Sequence, residues 1–201
     1  MKLYYAPGAC SLATHIALEE TGQAFETVKV DLRAKTTEQS EDFTKINPYG
    51  YVPSIKLDNG IVLNEGVAIL QYIADQSPDS HLAPANGTFE RYKLQSMLTF
   101  INSELHKMIA GLFNPALSDE AKQAVIGRID SRLNTFSEQL GSDKFAVNNT
   151  YSVADAYLFT VLGWLKMFKI DINQWPKLAA HAAMMLERPA VQAALKAEGL
   201  I

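Results

Sequence analysis

The first twenty or so residues constrain the fold more than any other part of the chain. An apolar, aromatic run from Lys2 to Ala6 predicts a β-strand, which Pro7-Gly8 interrupts. Apolar residues at helical spacing follow and stop at Gly22, which is typical of a helix with a glycine C-cap. A second strand pattern at 25–32 completes a strand–helix–strand unit, so we expect these two strands to be parallel.

The only cysteine of the chain, Cys10, falls at the turn into this first helix. The first N–H groups of a helix have no partners within the helix, and the aligned peptide dipoles add partial positive charge there. Both effects favour the thiolate, which is the reactive form of cysteine. The alternative is a buried cysteine that only fills space. A single cysteine excludes an internal disulfide and is compatible with a reducing compartment.

Residues 45–76 predict two more strands and a second helix. Asp58-Asn59-Gly60 is a strong hairpin signal between two apolar runs. Pro53 cannot donate a hydrogen bond to a neighbouring strand, so it is either an ordinary edge-strand proline or a cis proline that keeps the Val52 backbone open to a ligand. Asn64 is a predicted helix N-cap, and the two N–H groups that follow it would suit a carboxylate.

The character of the sequence changes at 77–87, where prolines and a glycine occur without periodicity, and only helical patterns follow. We therefore predict an α/β N-terminal domain at 1–80 with the order β-α-β-β-β-α, a linker at 81–87 and an all-α C-terminal domain at 88–201. One C-terminal helix begins at Ser152-Val-Ala-Asp155, a capping box.

Composition excludes several other classes of protein. The chain has 201 residues, 48% of them hydrophobic, and a net charge of −4, so nothing indicates a nucleic-acid surface. No run approaches the ~18 apolar residues that span a membrane, and no signal-peptide pattern precedes the first strand. The four histidines lack metal-ligand spacing. We expect a cytoplasmic protein without a metal ion, a nucleic-acid partner or a membrane anchor.

The strand and helix order of the first half is that of a thioredoxin-like domain. Dithiol members carry Cys-x-x-Cys, but this chain has Cys10-Ser-Leu-Ala13, which leaves monothiol chemistry or binding. Together with a helical second domain, the whole chain resembles a cytosolic glutathione transferase, most closely the bacterial beta class. The resemblance rests on motifs that occur in the same order along the chain: Pro7-Gly8-Ala9-Cys10-Ser11-Leu12, Asn47-Pro48-x-Gly50-x-Val52-Pro53, Glu65-Gly66-Val67-Ala68-Ile69, Glu104-Leu105-His106-Lys107, Ser152-x-x-Asp155 and Glu187-Arg188-Pro189.

The resemblance implies that the first domain binds glutathione as a substrate. Val52, before the presumed cis Pro53, would pair with the cysteinyl part in the manner of an added strand. Glu65-Gly66 would hold the γ-glutamyl end, and Lys35 would meet the glycine carboxylate. Cys10 would face the glutathione sulfur, either as a hydrogen-bond donor to the thiolate or in a mixed disulfide.

In the second domain, the spacing places Thr99, Ser103 and His106 on one face of a helix. The resemblance adds them, with Leu105, to the glutathione site, where His106 would polarise the thiol or stabilise its thiolate. Beta-class relatives usually carry asparagine at the position of Thr99. Glu104 lies roughly 200° around the helix from His106; in the family, this glutamate reaches the partner subunit's glutathione, which requires a homodimer.

The resemblance implies a detoxifying enzyme that conjugates the glutathione thiolate to small apolar electrophiles. Trp164, Phe168 and Phe113 are candidates for the electrophile site, with helix packing as the alternative. Two other functions stay open: a glutathione-dependent thiol–disulfide oxidoreductase or peroxidase with Cys10 as nucleophile, and a non-catalytic transferase-like protein that binds or regulates a partner.

Overall fold

A computed structural model describes residues 1–140 and 144–201, and we refer to it as the structure. The chain forms two compact units: residues 1–83 with 187–201, and residues 84–186. The grouping of the last fifteen residues with the first unit is not apparent from sequence patterns. The domain boundaries given above stay a prediction.

The first unit contains a five-stranded mixed sheet in the order β3-β2-β1-β4-β5. Strands β1 and β2 are parallel, as predicted, and the remaining neighbours are antiparallel. The thioredoxin-like order is confirmed, with one addition: the two-residue strand β3, which lies in a polar stretch between the predicted second and third strands. The elements are β1 (Lys2–Tyr5), α1 (Ser11–Thr21), β2 (Glu26–Asp31), β3 (Thr36–Thr37), β4 (Ser54–Lys56), β5 (Val62–Asn64) and α2 (Gly66–Gln76).

Alternation of side chains explains how the sheet and the first helix form. In β2, Val28 and Val30 are buried while the residues between and beside them are exposed, which is the pattern of a strand with one buried face. Helix α1 ends at Gly22, which adopts a left-handed conformation at φ 65° as predicted. Gly60 turns the β4–β5 hairpin at φ 85°.

The C-terminal helix α8 (Pro189–Ala197) packs against α1 in this unit. Arg188, just before α8, forms two parallel hydrogen bonds with the Glu20 carboxylate, at 2.7 and 3.0 Å. Just after α8, the buried Glu198 carboxylate accepts the backbone N–H of Gly8 at 2.8 Å and lies 2.9 Å from Nδ1 of the buried His15. The end of the chain therefore fixes the turn that precedes Cys10.

The second unit is helical, as predicted for this part of the chain. Its described helices are α3 (Phe89–Phe100), α4 (Lys107–Gly111), α5 (Asp119–Leu140), α6 (Val153–Leu162) and α7 (Pro176–Leu186), with short 3₁₀ turns at Leu165–Phe168 and Ile172–Gln174. A π-helical stretch, Ile101–His106, joins α3 to α4 without a break. The stop that the sequence predicts for α5 at Gly141 lies outside the described residues.

Helix α6 is the core of the second unit, because all ten of its residues are buried. Its predicted capping box is present. The Asp155 carboxylate accepts the Ser152 backbone N–H at 2.9 Å, and the Ser152 hydroxyl accepts a backbone N–H of the first turn of α6. The fully buried Asp155 carboxylate also accepts the Ala146 N–H at 2.7 Å and lies 3.0 Å from Nε2 of His181 on α7. This carboxylate therefore connects the start of α6, the preceding loop and α7.

Over residues 1–140 and 144–201, no helix combines the length and the apolar character needed to cross a membrane.

Replacing Asp155 by alanine should lower the free energy of unfolding by about 3 kcal/mol or more, because the substitution leaves several buried polar groups without a partner. Urea denaturation measures this change. The matched control is Asp130→Ala on the exposed face of α5, where Asp130 accepts the Asn134 side-chain N–H and the expected change is within about 0.5 kcal/mol. Similar losses in the two variants would contradict a special structural role for Asp155.

Candidate active site

Cys10 lies beside the segment that contains Pro53. Cys10 occupies the N-cap position of α1 and is half-buried, and its thiol donates to the Val52 carbonyl at 3.1 Å. The Val52–Pro53 bond is cis, as the sharper of the two interpretations requires. Gly66, at the start of α2, lies so close to Pro53 that an added Cβ would be 3.6 Å from the proline ring. The first turns of both helices thus lie beside the same segment.

Buried polar contacts hold the turn that carries Cys10. The Ser11 hydroxyl accepts the Ala6 N–H at 3.1 Å and donates to the Ala6 carbonyl at 3.3 Å. Glu198 holds Gly8 from the other side. Buried groups therefore fix the backbone at Gly8 and at Ser11, on either side of Cys10.

Lys35 lies against the turn that leads to Val52. Its ammonium donates to the Gly50 carbonyl at 2.9 Å and lies 5.2 Å from the centre of the exposed Tyr51 ring. Gly50 has φ 64°, and a Cβ there would come within 2.8 Å of the Lys35 side chain. The backbone conformation therefore favours a glycine at position 50, and a larger residue would displace the end of the Lys35 side chain.

The start of α2 differs from the prediction. Glu65, not Asn64, is the N-cap residue, and no side-chain cap bond forms there. The Asn64 side chain instead accepts the Ser54 hydroxyl across the hairpin at 2.7 Å. Glu65 is exposed and has φ 70°, which is strained for a residue with a side chain. Strain of this kind is found at ligand-binding positions, where it aims backbone groups.

The predicted site residues of the second unit differ in which of their groups a ligand can reach. The Thr99 and Ser103 hydroxyls are exposed, and each donates to the carbonyl four residues earlier, at 2.8 and 2.9 Å. In this arrangement their oxygens are left as acceptors for an N–H of a ligand. The Leu105 side chain is in the core, 1% exposed, so only its backbone is available to a ligand.

Glu104 and His106 face different neighbouring helices. The Glu104 carboxylate accepts from Nε of Arg132 on α5 at 2.8 Å, and both side chains are partly exposed. His106 instead contacts α6. This agrees with the expectation that Glu104 does not share the surroundings of His106, while its partner here is a residue of its own chain.

His106 is joined to two polar residues that sequence reasoning missed. Its Nδ1 lies 2.5 Å from the Tyr157 hydroxyl, and that hydroxyl donates to Oδ1 of Asn102 at 2.9 Å. Burial lowers the pKa of His106 to about 4, with a smaller effect of the adjacent Lys107 charge. The ring is therefore neutral at pH 7. Tyr157 is 51 residues from His106 in sequence, so no local motif indicates the contact.

An aromatic group surrounds the other side of the His106 ring. Trp164 contacts it edge-on, with ring centres 4.9 Å apart, and Phe113 in turn contacts both Trp164 and Phe168. Trp164 is 7% exposed and so packs between helices, whereas Phe113 is 47% exposed. The three candidates for the electrophile site therefore form one cluster, in which the Phe113 side chain is the most exposed to solvent.

A metal centre has no support in the described part of the chain, where no three His, Cys, Asp or Glu side chains are grouped to hold an ion.

Comparison with known families covers most of the chain. Residues 1–75 match the family described as glutathione S-transferase, N-terminal domain, and residues 100–189 match glutathione S-transferase, C-terminal domain. The chain is 44% identical over 200 residues to glutathione S-transferase GstA of Escherichia coli O157:H7, and the alignment covers all of both proteins.

Solved structures agree in sequence and in fold. A sphingomonad glutathione S-transferase complexed with glutathione is 52% identical, with a TM-score of 0.96 and full coverage of both chains. A bacterial beta class glutathione S-transferase of Sphingomonas chungbukensis is 50% identical, with a TM-score of 0.97 and full coverage of both chains.

The low pKa of His106 predicts how the ring responds to acid. A titration of the His106 ring protons followed by NMR, assigned with a His106→Gln variant, should have its midpoint near 4. Because the folded-state pKa lies below the ordinary value of about 6.5, the unfolded chain takes up this proton first as the pH falls. The His106 contribution to stability is therefore present above about pH 6.5 and lost between there and about pH 4. A midpoint near 6.5 would contradict the buried, neutral ring.

Proposed function

The chain belongs to the glutathione S-transferase family, in its bacterial beta class, and on that premise we propose how its own residues conjugate glutathione to an apolar electrophile. Glutathione is the substrate that supplies the thiol. The observation that carries the proposal is the Cys10 thiol hydrogen-bonded to the carbonyl that precedes cis Pro53. It links a helix N-terminus to a backbone segment suited to pairing with a peptide.

In the proposed complex, the tripeptide lies along the Val52 backbone. The Val52 carbonyl oxygen has two lone pairs, so it is able to accept a ligand N–H in addition to the Cys10 thiol. The γ-glutamyl carboxylate takes the N–H groups of Glu65 and Gly66, which lie at the start of α2. Lys35 pairs with the glycine carboxylate, and its contact with Gly50 positions the ammonium beforehand.

The proposed role of His106 follows from its low pKa. Complete transfer of a proton from a thiol of pKa about 8.5 to a ring of pKa about 4 costs roughly 6 kcal/mol. Neutral His106 therefore accepts the S–H hydrogen bond of glutathione and does not hold a positive charge in advance. It takes the proton as the carbon–sulfur bond forms, and the leaving group departs with its electron pair. Helix α1 and residue 10 stabilise the developing thiolate.

We further propose that the electrophile is flat and aromatic. The exposed Phe113 edge continues into the Trp164 and Phe168 rings, and such a surface favours a ring that stacks or packs edge-on. Two such contacts add about 1–3 kcal/mol to binding. A role in detoxification and a cytoplasmic location belong to this proposal.

A homodimer in which Glu104 reaches the partner subunit's glutathione also remains part of the proposal. The Glu104–Arg132 pair within the chain is partly exposed, and such pairs contribute about 0–1 kcal/mol. Exchange of this contact for a ligand ammonium is therefore energetically accessible.

Substitution of Cys10 separates conjugation from the redox alternative, which the close relatives do not favour. The wild-type protein should conjugate glutathione to a generic aromatic halide, and Cys10→Ala should retain this activity within about tenfold, because the α1 N-terminus remains to stabilise the thiolate. Thiol–disulfide exchange should disappear, because the only thiol is lost.

His106→Gln should lower kcat for conjugation by about 10²-fold, because the proton acceptor is lost.

Cys10→Ser is the matched control, since its hydroxyl keeps a donor for the Val52 carbonyl while removing the nucleophilic sulfur. Conjugation that vanishes in both variants would instead favour the redox function. Failure of the wild-type protein to bind immobilised glutathione would favour the non-catalytic alternative.

A further inference from the structure

The Tyr157 hydroxyl contacts two side chains that lie one helical turn apart. Asn102 and His106 are four residues apart in the π-helical stretch Ile101–His106, and both reach this oxygen from the same face. The backbone N–H of Lys107 bonds the Asn102 carbonyl five residues earlier, which widens the turn at this point. Widened turns of this kind are frequent at functional sites.

The chemistry of the three groups sets the direction of the hydrogen bonds. A carbonyl oxygen such as Oδ1 of Asn102 can only accept, so the single hydroxyl proton of Tyr157 goes to Asn102. The Tyr157 oxygen then has only lone pairs to offer His106, and Nδ1 of the ring must carry the proton that joins them. In a neutral ring, Nε2 is then the unprotonated nitrogen.

We propose that Asn102 and Tyr157 are positioning residues that hold neutral His106 as the Nδ1–H tautomer, so that Nε2 is the atom that accepts the glutathione thiol proton. The role of Nε2 as acceptor of the glutathione proton rests on the proposed function. The tautomer itself depends only on the His106 ring and its two partners.

The surroundings of the ring are consistent with this assignment. The lowered pKa of His106 keeps the ring neutral at pH 7, where only one nitrogen bears a proton. The described groups that face it are the Tyr157 hydroxyl on α6, the Trp164 ring and the Lys107 charge on its own helix. The Lys107 ammonium disfavours the imidazolium form but does not choose between tautomers.

Release of the ring should change the tautomer, not only weaken the site. In water, neutral histidine favours the Nε2–H form, in which Nε2 cannot accept a proton. Asn102→Leu removes the acceptor, so the Tyr157 proton becomes free to point at Nδ1, which requires the Nε2–H tautomer. Tyr157→Phe removes the oxygen that holds the Nδ1 proton. The two substitutions act on different atoms and predict the same change.

The experiment uses full-length protein with ¹⁵N-labelled histidine at pH 7. Long-range ¹H–¹⁵N correlation spectra distinguish the two tautomers by which ring nitrogen carries the proton, and a His106→Gln variant assigns the signal. Wild-type His106 should be in the Nδ1–H form, and both Asn102→Leu and Tyr157→Phe should shift it towards Nε2–H. The control is Tyr92→Phe, which removes the same atom from a tyrosine that is 59% exposed, and it should leave the His106 signal unchanged.

Kinetics test whether the tautomer matters to the reaction. Both variants should lower kcat for conjugation at least about tenfold, because a wrong tautomer removes the acceptor. KM for glutathione should change by less than about twofold, because the ring contributes to the reacting state more than to binding. Tyr92→Phe should retain the wild-type kcat.

Two results would overturn the proposal. An Nε2–H ring in the wild-type protein would mean that the Asn102–Tyr157 bonds run in the opposite direction. An Nδ1–H ring that changes in the variants without a loss of kcat would exclude a positioning role. If the wild-type protein lacks conjugating activity altogether, the proposed function fails, yet the NMR spectra still decide the tautomer.

Discussion

A buried carboxylate fixes the local geometry in each compact unit. In the second unit, Asp155 joins the start of α6 to the preceding loop and to His181, and α6 carries Tyr157 two residues later. In the first unit, Glu198 joins the end of the chain to Gly8 and His15, and Cys10 follows Gly8 by two residues. A buried charge is costly unless all of its bonds are made, so each carboxylate favours one arrangement of the segments around it. Cys10 therefore follows one anchored residue, and His106 contacts a residue of the helix that the other anchor begins.

These anchors explain why the reacting groups do not need strong contacts of their own. The Cys10 thiol donates to the Val52 carbonyl, and His106 contacts a hydroxyl and an aromatic edge. Groups held by their surroundings keep lone pairs and protons available for a substrate. The strained Glu65 backbone and the Lys35 contact with Gly50 fit the same principle, because the fold fixes them before a ligand binds.

Local patterns predicted much of the fold and part of the site. The parallel β1–β2 pair, the Gly22 cap, the hairpin at Gly60 and the capping box each depend on residues near one another in sequence, and all are present. The Asn64 cap was wrong because a cross-strand partner, Ser54, competes for the side chain. The Tyr157–His106 contact and the packing of α8 on α1 could not be predicted, because they join segments far apart in the chain. Resemblance to a family supplied the glutathione site residues, but not the tautomer or the charge of His106.

The central claim is that the N-terminus of α1 and residue 10 lower the pKa of the bound glutathione thiol, so that neutral His106 takes its proton more readily. Because Cys10 is the only cysteine, the Cys10→Ser variant has no thiol of its own. The ultraviolet absorption of thiolate during a pH titration, taken as the difference from the same variant without glutathione so that the eight tyrosines cancel, then reports glutathione. With the protein in excess over glutathione, the midpoint should lie about one pH unit below that of free glutathione in the same buffer, as expected from a helix N-terminus and a hydroxyl donor. An unchanged midpoint with bound glutathione would contradict the account.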